Sequence, residues 1–188
     1  MKKKIIITGG LGYIGTELCK LYSGLSWHHQ IIVIDNRFIS ERVNQIRNWN
    51  MEFVQGDILD KDFIKKNCSE ADVVHHLAGV TSVPRTKNEA STAQDEKIKE
   101  IGEKGTQNIL DVISDKCKII FPSTHVFYEG IDEIKTDIKE DEATKPVLSY
   151  SSSKAINEDQ LKKSGKNYII LRLGSVYGYS TDSMRIDI

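Results

Sequence analysis

Lys4-Ile5-Ile6-Ile7-Thr8-Gly9-Gly10-Leu11-Gly12-Tyr13-Ile14-Gly15 is the stretch that decides the fold. Its first half is a continuous β-branched run, as expected of a strand buried on both faces. Its second half places Gly9, Gly12 and Gly15 in the spacing GxxGxxG. That spacing suits a tight turn, a close backbone approach to a pyrophosphate, and close packing of helix on strand. The helix that follows would offer unpaired N–H groups and the positive end of its dipole to an anion. Glycine-rich turns are common, so the pattern gains weight only from following a strand and opening a helix.

Working outward, short apolar runs alternate with longer amphipathic ones. Strands are predicted at Lys4–Thr8, Ile31–Asp35, Met51–Gln55, Asp72–Ala78, Lys118–Ser123 and Tyr168–Leu173. Helices are predicted from Gly12 to Ser23, Asp60 to Asn67, Glu89 to Ser114 and Ser149 to Lys163, with a polar, acidic loop from Glu129 to Lys145. This alternation implies an α/β fold with a doubly wound parallel sheet, and 3-2-1-4-5-6 is the default strand order for a dinucleotide-binding sheet of the Rossmann type. The expected organisation is one NAD-binding domain over 1–178, with 179–188 starting a C-terminal substrate-binding region that is cut short.

Asp35 ends the second strand, twenty residues after Gly15. A carboxylate there can accept hydrogen bonds from both adenosine ribose hydroxyls and repels a 2′-phosphate, which favours NAD over NADP. Arg37 tempers this, because a guanidinium pairs with a 2′-phosphate. The plainer alternative for Asp35 is a turn residue at a strand end.

Composition narrows the class further. The chain has 188 residues, a formal net charge of -1 and 28% charged residues, so nothing pulls it globally toward nucleic acid or anionic membrane. Ile5 to Ile7 is far too short for a signal peptide or a membrane span. Cys19, Cys68 and Cys117 are scattered without ligand spacing, which fits a reduced, cytoplasmic setting. His75 and His76 would point to opposite faces of a strand, so no metal site is expected.

Tyr150 and Lys154 stand four apart in a predicted helix and share one face. A nearby ammonium and a positively charged nicotinamide would both favour phenolate, turning a poor base into a usable one. The pair alone arises often by chance on exposed helices. Its place after the fifth strand, downstream of the glycine turn, gives it meaning. Thr124 ends that fifth strand, where ligands bind in such sheets. Its hydroxyl either meets the reacting oxygen or is satisfied by its own turn.

In order, the segments TGGLGYIG, VIDN, GDILD, HLAG, PSTHVFY, YSSSK and LRLGSVYG resemble the extended short-chain dehydrogenases, of which nucleotide-sugar 4-epimerases are the best-known members. The resemblance spans essentially the whole chain. It implies that Gly9, Gly12 and Gly15, with the backbone of Tyr13 and Ile14, hold a pyrophosphate. It implies that Asp35 and Asn36 bind the adenosine ribose, and that Asp57 and Ile58 contact the adenine. Leu77, Ala78 and Gly79 would line the nicotinamide side. Tyr150 would be the base, Lys154 would bind the nicotinamide ribose, and Thr124 would assist at the reacting oxygen. A homodimer through the helix near Ile98 to Ile113 and the helix carrying Tyr150 is also implied; the spacing of Ile98, Ile101 and Ile109 suggests the same.

The chain departs from the family at three places. Dehydratases acting at sugar positions 4 and 6 carry an Asp-Glu pair where this chain has His125 and Val126, which argues against water elimination. Ser175 stands where a substrate-contacting asparagine is usual, and Gly102 replaces another frequent asparagine. The expected function is therefore NAD-dependent epimerisation of a nucleoside-diphosphate sugar, at C4, with Ser175 and Thr124 on the substrate side. A nucleotide-sugar decarboxylase or a keto-sugar reductase with the same Tyr/Lys site is the alternative. A catalytically silent NAD-binding regulatory protein is another.

Overall fold

The computed structural model describes residues 2–80, 92–131 and 136–178. Six strands, β1 (Lys4–Thr8), β2 (Gln30–Asp35), β3 (Glu52–Gln55), β4 (Val73–His76), β5 (Lys118–Thr124) and β6 (Asn167–Leu173), form one sheet in the order β3-β2-β1-β4-β5-β6. Every pairing is parallel. The helices are α1 (Tyr13–Tyr22), α2 (Ser40–Asn48), α3 (Lys61–Cys68), α4 (Thr92–Lys99), α5 (Gly105–Val112) and α6 (Ser149–Lys163). The predicted topology is thus the observed one. The expected segment 179–188 and the expected helix start at 89–91 lie outside the described residues.

Successive residues of each strand feed opposite faces of the sheet. Ile6, Ile32, Ile34, Val74, Ile119 and Phe121 pack with Ile64, Ile109 and Leu161 from α3, α5 and α6. Ile5, Ile7, Ile31 and Val33 pack on the other face with Cys19, Val43 and Ile46 from α1 and α2. Each such side chain contributes about 1.5–3 kcal/mol of burial free energy, which is what makes the β-branched runs strands here. The three thiols are buried in the same layers, and burial pushes Cys19 and Cys68 up to about 12 and Cys117 up to about 11.

Two elements differ from expectation. α2 was not predicted: SERVNQIRN buries only two apolar residues, Val43 and Ile46, beside Arg42, so its apolar stripe is too thin to read as a helix. The long helix predicted up to Ser114 is interrupted by a π-helical turn at Glu100–Lys104 between α4 and α5. There Gly102 lets α6 come close, for a Cβ at Gly102 would run into the Ser153 hydroxyl. Ile98 and Ile109 are buried within the chain, and Ile101 packs on the same cluster. Part of the apolar spacing that suggested a dimer, at Ile101 and Ile109, thus packs in the chain's own core.

Candidate functional site

The C-terminal ends of the strands lie at one edge. Thr8 is in register with Ile34 of β2 and His76 of β4, and Thr124 with Leu173 of β6. β1 lies between β2 and β4, whose connections leave toward opposite sides, so the crevice expected of such sheets opens above Thr8.

The glycine turn fills the floor of that crevice. Gly9 has φ +69°, and a Cβ there would lie 2.6 Å from the Ala78 nitrogen. A Cβ on Gly15 would run into the Gly9 carbonyl oxygen. These two positions are closed to any side chain by backbone. Above Gly12 the nearest atom a Cβ would meet is the Gly9 carbonyl oxygen at 3.2 Å. Gly12 is the N-cap of α1, makes no side-chain capping bond, and is followed by a first turn without acidic residues. The positive end of α1 at Tyr13 and Ile14 is thus open to an anion, and the cradle fits a pyrophosphate.

Asp35 is buried at the end of β2, next to that turn. Its Oδ2 accepts from the Leu11 N–H at 3.0 Å. Its Oδ1 accepts from the Arg37 N–H at 3.0 Å and from Arg37 Nε at 3.3 Å. Arg37 therefore pairs with Asp35 and is half exposed. Arg42, also buried, donates to the Leu11 carbonyl and so fixes the turn from α2. Asn36 is exposed, and its carbonyl accepts from Gln55 Nε2. Asp57 folds into a local turn, its Oδ1 accepting from the Leu59 N–H at 2.9 Å. The Ile58 side chain enters the core against Gly105, so any contact with a ligand there would come from its backbone.

Across the crevice, Leu77 and Ala78 follow β4. The Leu77 N–H donates to the Thr8 carbonyl at 3.1 Å and the Ala78 N–H to the Thr8 hydroxyl at 3.3 Å. Gly79 beyond them is exposed. Beneath this loop His76 is fully buried, with Nδ1 2.9 Å from the Thr8 hydroxyl and Nε2 3.1 Å from the Thr106 hydroxyl. Burial, with help from the Lys154 charge, pushes it down to about 3, so it stays neutral. His75 points the other way, 2.8 Å from the Tyr22 hydroxyl, and burial pushes it down to about 4. Both histidines are core residues with hydroxyl partners.

α6 carries Lys154 toward β5, with Tyr150 one turn earlier on the same helix. Lys154 Nζ donates to the Pro122 carbonyl at 2.9 Å and lies 4.3 Å from the Phe121 ring centroid. Burial pushes its ammonium down to about 8. At neutral pH it stays mostly charged. Thr124 is buried at the end of β5. Its Oγ1 accepts from the Val126 N–H at 3.1 Å and caps the short 3₁₀ turn His125–Tyr128. The local-turn alternative for Thr124 is thus realised, yet accepting that bond leaves its hydroxyl proton to donate. Ser175 is exposed past the end of β6. The following Val176, Tyr177 and Gly178 line an open groove with Tyr13, Ile14 and Glu17 of α1.

Some supporting residues escaped the sequence reading. Glu158 is buried and bound by two nitrogens of Arg172, at 2.9 and 2.8 Å. Burial pushes its carboxyl up, but the Arg172 bonds and charge, with help from Ser123 and Lys162, outweigh this and hold it below the usual range. The signal for it was present: Tyr150, Lys154 and Glu158 recur every four residues.

The chain matches the profile of the NAD dependent epimerase/dehydratase family over residues 5–187. The chain belongs to the NAD-dependent epimerase/dehydratase family. A putative UDP-glucose 4-epimerase of Methanocaldococcus jannaschii is 31% identical over 186 residues, 95% of this chain and 57% of the relative. A dTDP-D-glucose 4,6-dehydratase of Dictyostelium discoideum is 29% identical over 94% of this chain and 44% of the relative. Among solved structures, UDP-glucose 4-epimerase from Brucella ovis in complex with NAD superposes with a TM-score of 0.73 at 28% identity, covering 90% of this chain and 51% of that one. The chain thus spans about half the length of the relatives it matches.

Proposed function

We propose that the chain binds NAD across the crevice and serves as the cofactor half of an epimerase acting on a nucleoside-diphosphate sugar at C4. The observation that carries this reading is one edge of the sheet. There the uncapped α1 terminus, the buried Asp35 carboxylate, and α6 with Tyr150 and Lys154 converge. NAD, when bound, supplies the acceptor that oxidises the sugar carbon transiently and then returns the hydrogen to its other face. The Tyr150 phenolate takes the hydroxyl proton and later gives it back, while the Lys154 ammonium keeps the phenolate accessible. The Thr124 hydroxyl donates to the reacting oxygen. The backbone at Gly9, Gly12 and Gly15 admits the pyrophosphate, and Leu77 to Gly79 border the nicotinamide side. Ser175 lies on the substrate side.

His125 and Val126 favour epimerisation over the water elimination suggested by the dehydratase relative. His125 is exposed with Nδ1 3.1 Å from the Leu173 carbonyl, and Val126 offers no acid or base. The test is calorimetric titration with NAD and NADP, followed by turnover assays on UDP-glucose, UDP-glucuronate, UDP-N-acetylglucosamine and dTDP-glucose. NAD should bind more tightly than NADP, because Asp35 repels a 2′-phosphate and already holds Arg37. Tighter NADP binding would overturn the cofactor assignment. A 4-keto-6-deoxy product from dTDP-glucose would replace epimerisation by dehydration.

A further inference from the structure

α6 has a poor start in its own sequence. Its N-cap is Leu148, which makes no side-chain capping bond, and its first turn holds no acidic residue. Leucine ranks far below Ser, Thr, Asp and Asn at this position. Tyr150 is only the second helical residue. Fraying of a single turn would release it from the helix, and helix ends fray readily without a cap.

The missing cap comes from elsewhere in the chain. Glu129 Oε1 accepts from the Val147 N–H at 2.6 Å, from the Leu148 N–H at 2.8 Å, and from the Ser151 hydroxyl. Glu129 follows the 3₁₀ turn that Thr124 caps with its own hydroxyl. Two backbone bonds run alongside: the Lys145 N–H donates to the Phe127 carbonyl at 2.8 Å, and the Gly130 N–H to the Lys145 carbonyl at 3.2 Å. Thr124 at the end of β5 and Tyr150 at the start of α6 are therefore joined by a short, hydrogen-bonded path rather than by the long acidic loop between them.

We infer that Glu129 is a positioning residue: its carboxylate supplies the cap that α6 lacks and so holds Tyr150 and Lys154 in place relative to Thr124. This rests on the cofactor reading above, in which Tyr150 and Lys154 meet the nicotinamide half of NAD while Asp35 meets the adenosine half. All three bonds converge on one oxygen, so geometry rather than charge is the requirement. A glutamine keeps that oxygen at the same reach. An aspartate keeps the charge but falls one methylene short.

The experiment compares Glu129→Gln, Glu129→Asp and Glu129→Ala in the whole chain. NAD and AMP affinities are measured by calorimetry, and amide hydrogen exchange is followed over 147–151. E129Q should bind NAD within about twofold of the parent chain, while E129D and E129A should lose about tenfold. AMP, which reaches only the adenosine half, should bind all four chains equally. Exchange over 147–151 should quicken in E129D and E129A alone. Equal losses of NAD and AMP would overturn the inference, because they signal general unfolding. So would undiminished NAD binding by E129A, or an E129Q as weak as E129A. If the parent chain bound neither nucleotide, the cofactor reading itself would fall. Exchange at Val147 and Leu148 would then decide alone whether Glu129 fixes the helix start, with unchanged exchange in E129A counting against it.

Discussion

Tyr150 has one atom that the proposed chemistry needs, its phenolic oxygen. Replacing it by phenylalanine keeps the ring and its packing on α6 while removing the group that takes and returns the proton. Turnover of a nucleotide sugar by Tyr150→Phe should fall by a factor of about 10² to 10⁴, the usual contribution of a general acid/base. NAD affinity should stay within a few-fold, because Asp35 and the glycine turn are untouched. Steady-state rates beside calorimetric affinities check both halves, and near-parental turnover by this variant would remove the phenol from the mechanism. Lys154 belongs to the same scale. Its ammonium is held down to about 8 by burial, so it loses its charge as pH rises through that value.

Among the elements, α6 and β6 are joined through one buried ion pair. The Glu158 side chain is 4% exposed and the Arg172 side chain 18%. Arg172 reaches further, to the Tyr128 hydroxyl at 2.9 Å and the Glu140 carbonyl at 2.9 Å, and lies over the Phe127 ring. The pair therefore ties α6, the edge strand and the turn after β5 together. Glu158→Ala strands a buried guanidinium, and the cost should be about 3 kcal/mol, the low end for such a loss because Arg172 keeps two partners. At roughly 2–4 °C per kcal/mol for a chain of this size, the thermal midpoint should drop by about 6–12 °C. Calorimetric melts of E158A and of the double variant E158L/R172M separate the terms. The double variant should lose less than E158A, since it leaves no unpaired charge, and equal losses would mean that packing alone holds the helix down.

For the molecule as a whole, the two core histidines set the acid limit. Burial holds His75 at about 4 and His76 at about 3, both below their ordinary value of 6.5. The unfolded chain takes up protons on these rings as pH falls from 6.5, and the folded chain refuses them. Their contribution to stability is therefore complete above 6.5 and is lost as pH falls toward 4 and 3. The slope is at most about 1.4 kcal/mol per pH unit per histidine. Melts should fall steadily from pH 6.5 to 5, the range in which the unfolded chain protonates these rings and the folded chain does not. His76→Gln should make that fall shallower. A thermal midpoint unchanged between pH 7 and 5 would contradict this account. No helix among the described residues is long and apolar enough to cross a membrane.

Much of this protein is written locally. β-Branched runs, the glycine spacing and Asp35 suffice for a parallel sheet with a dinucleotide cradle, because strand burial and turn conformation depend on neighbours along the chain. The Tyr150–Lys154 pair is equally legible, since helical periodicity puts both on one face. α2 was not legible, because two apolar residues make too thin a stripe; only packing against Ile5, Ile7 and Met51 gives it a reason to form. The π-helical turn at Glu100–Lys104 likewise comes with the close approach of α6 over Gly102. The Glu129 cap, the Glu158–Arg172 pair and the His76 bonds to Thr8 and Thr106 each join residues from 14 to 68 positions apart. No sequence period encodes such distances. Burial decides the last two, because Glu158 and His76 leave bulk water on folding and must find their partners wherever the sheet and helices have brought them, while the exposed Glu129 meets its donors only because the turn after β5 and the start of α6 are brought together.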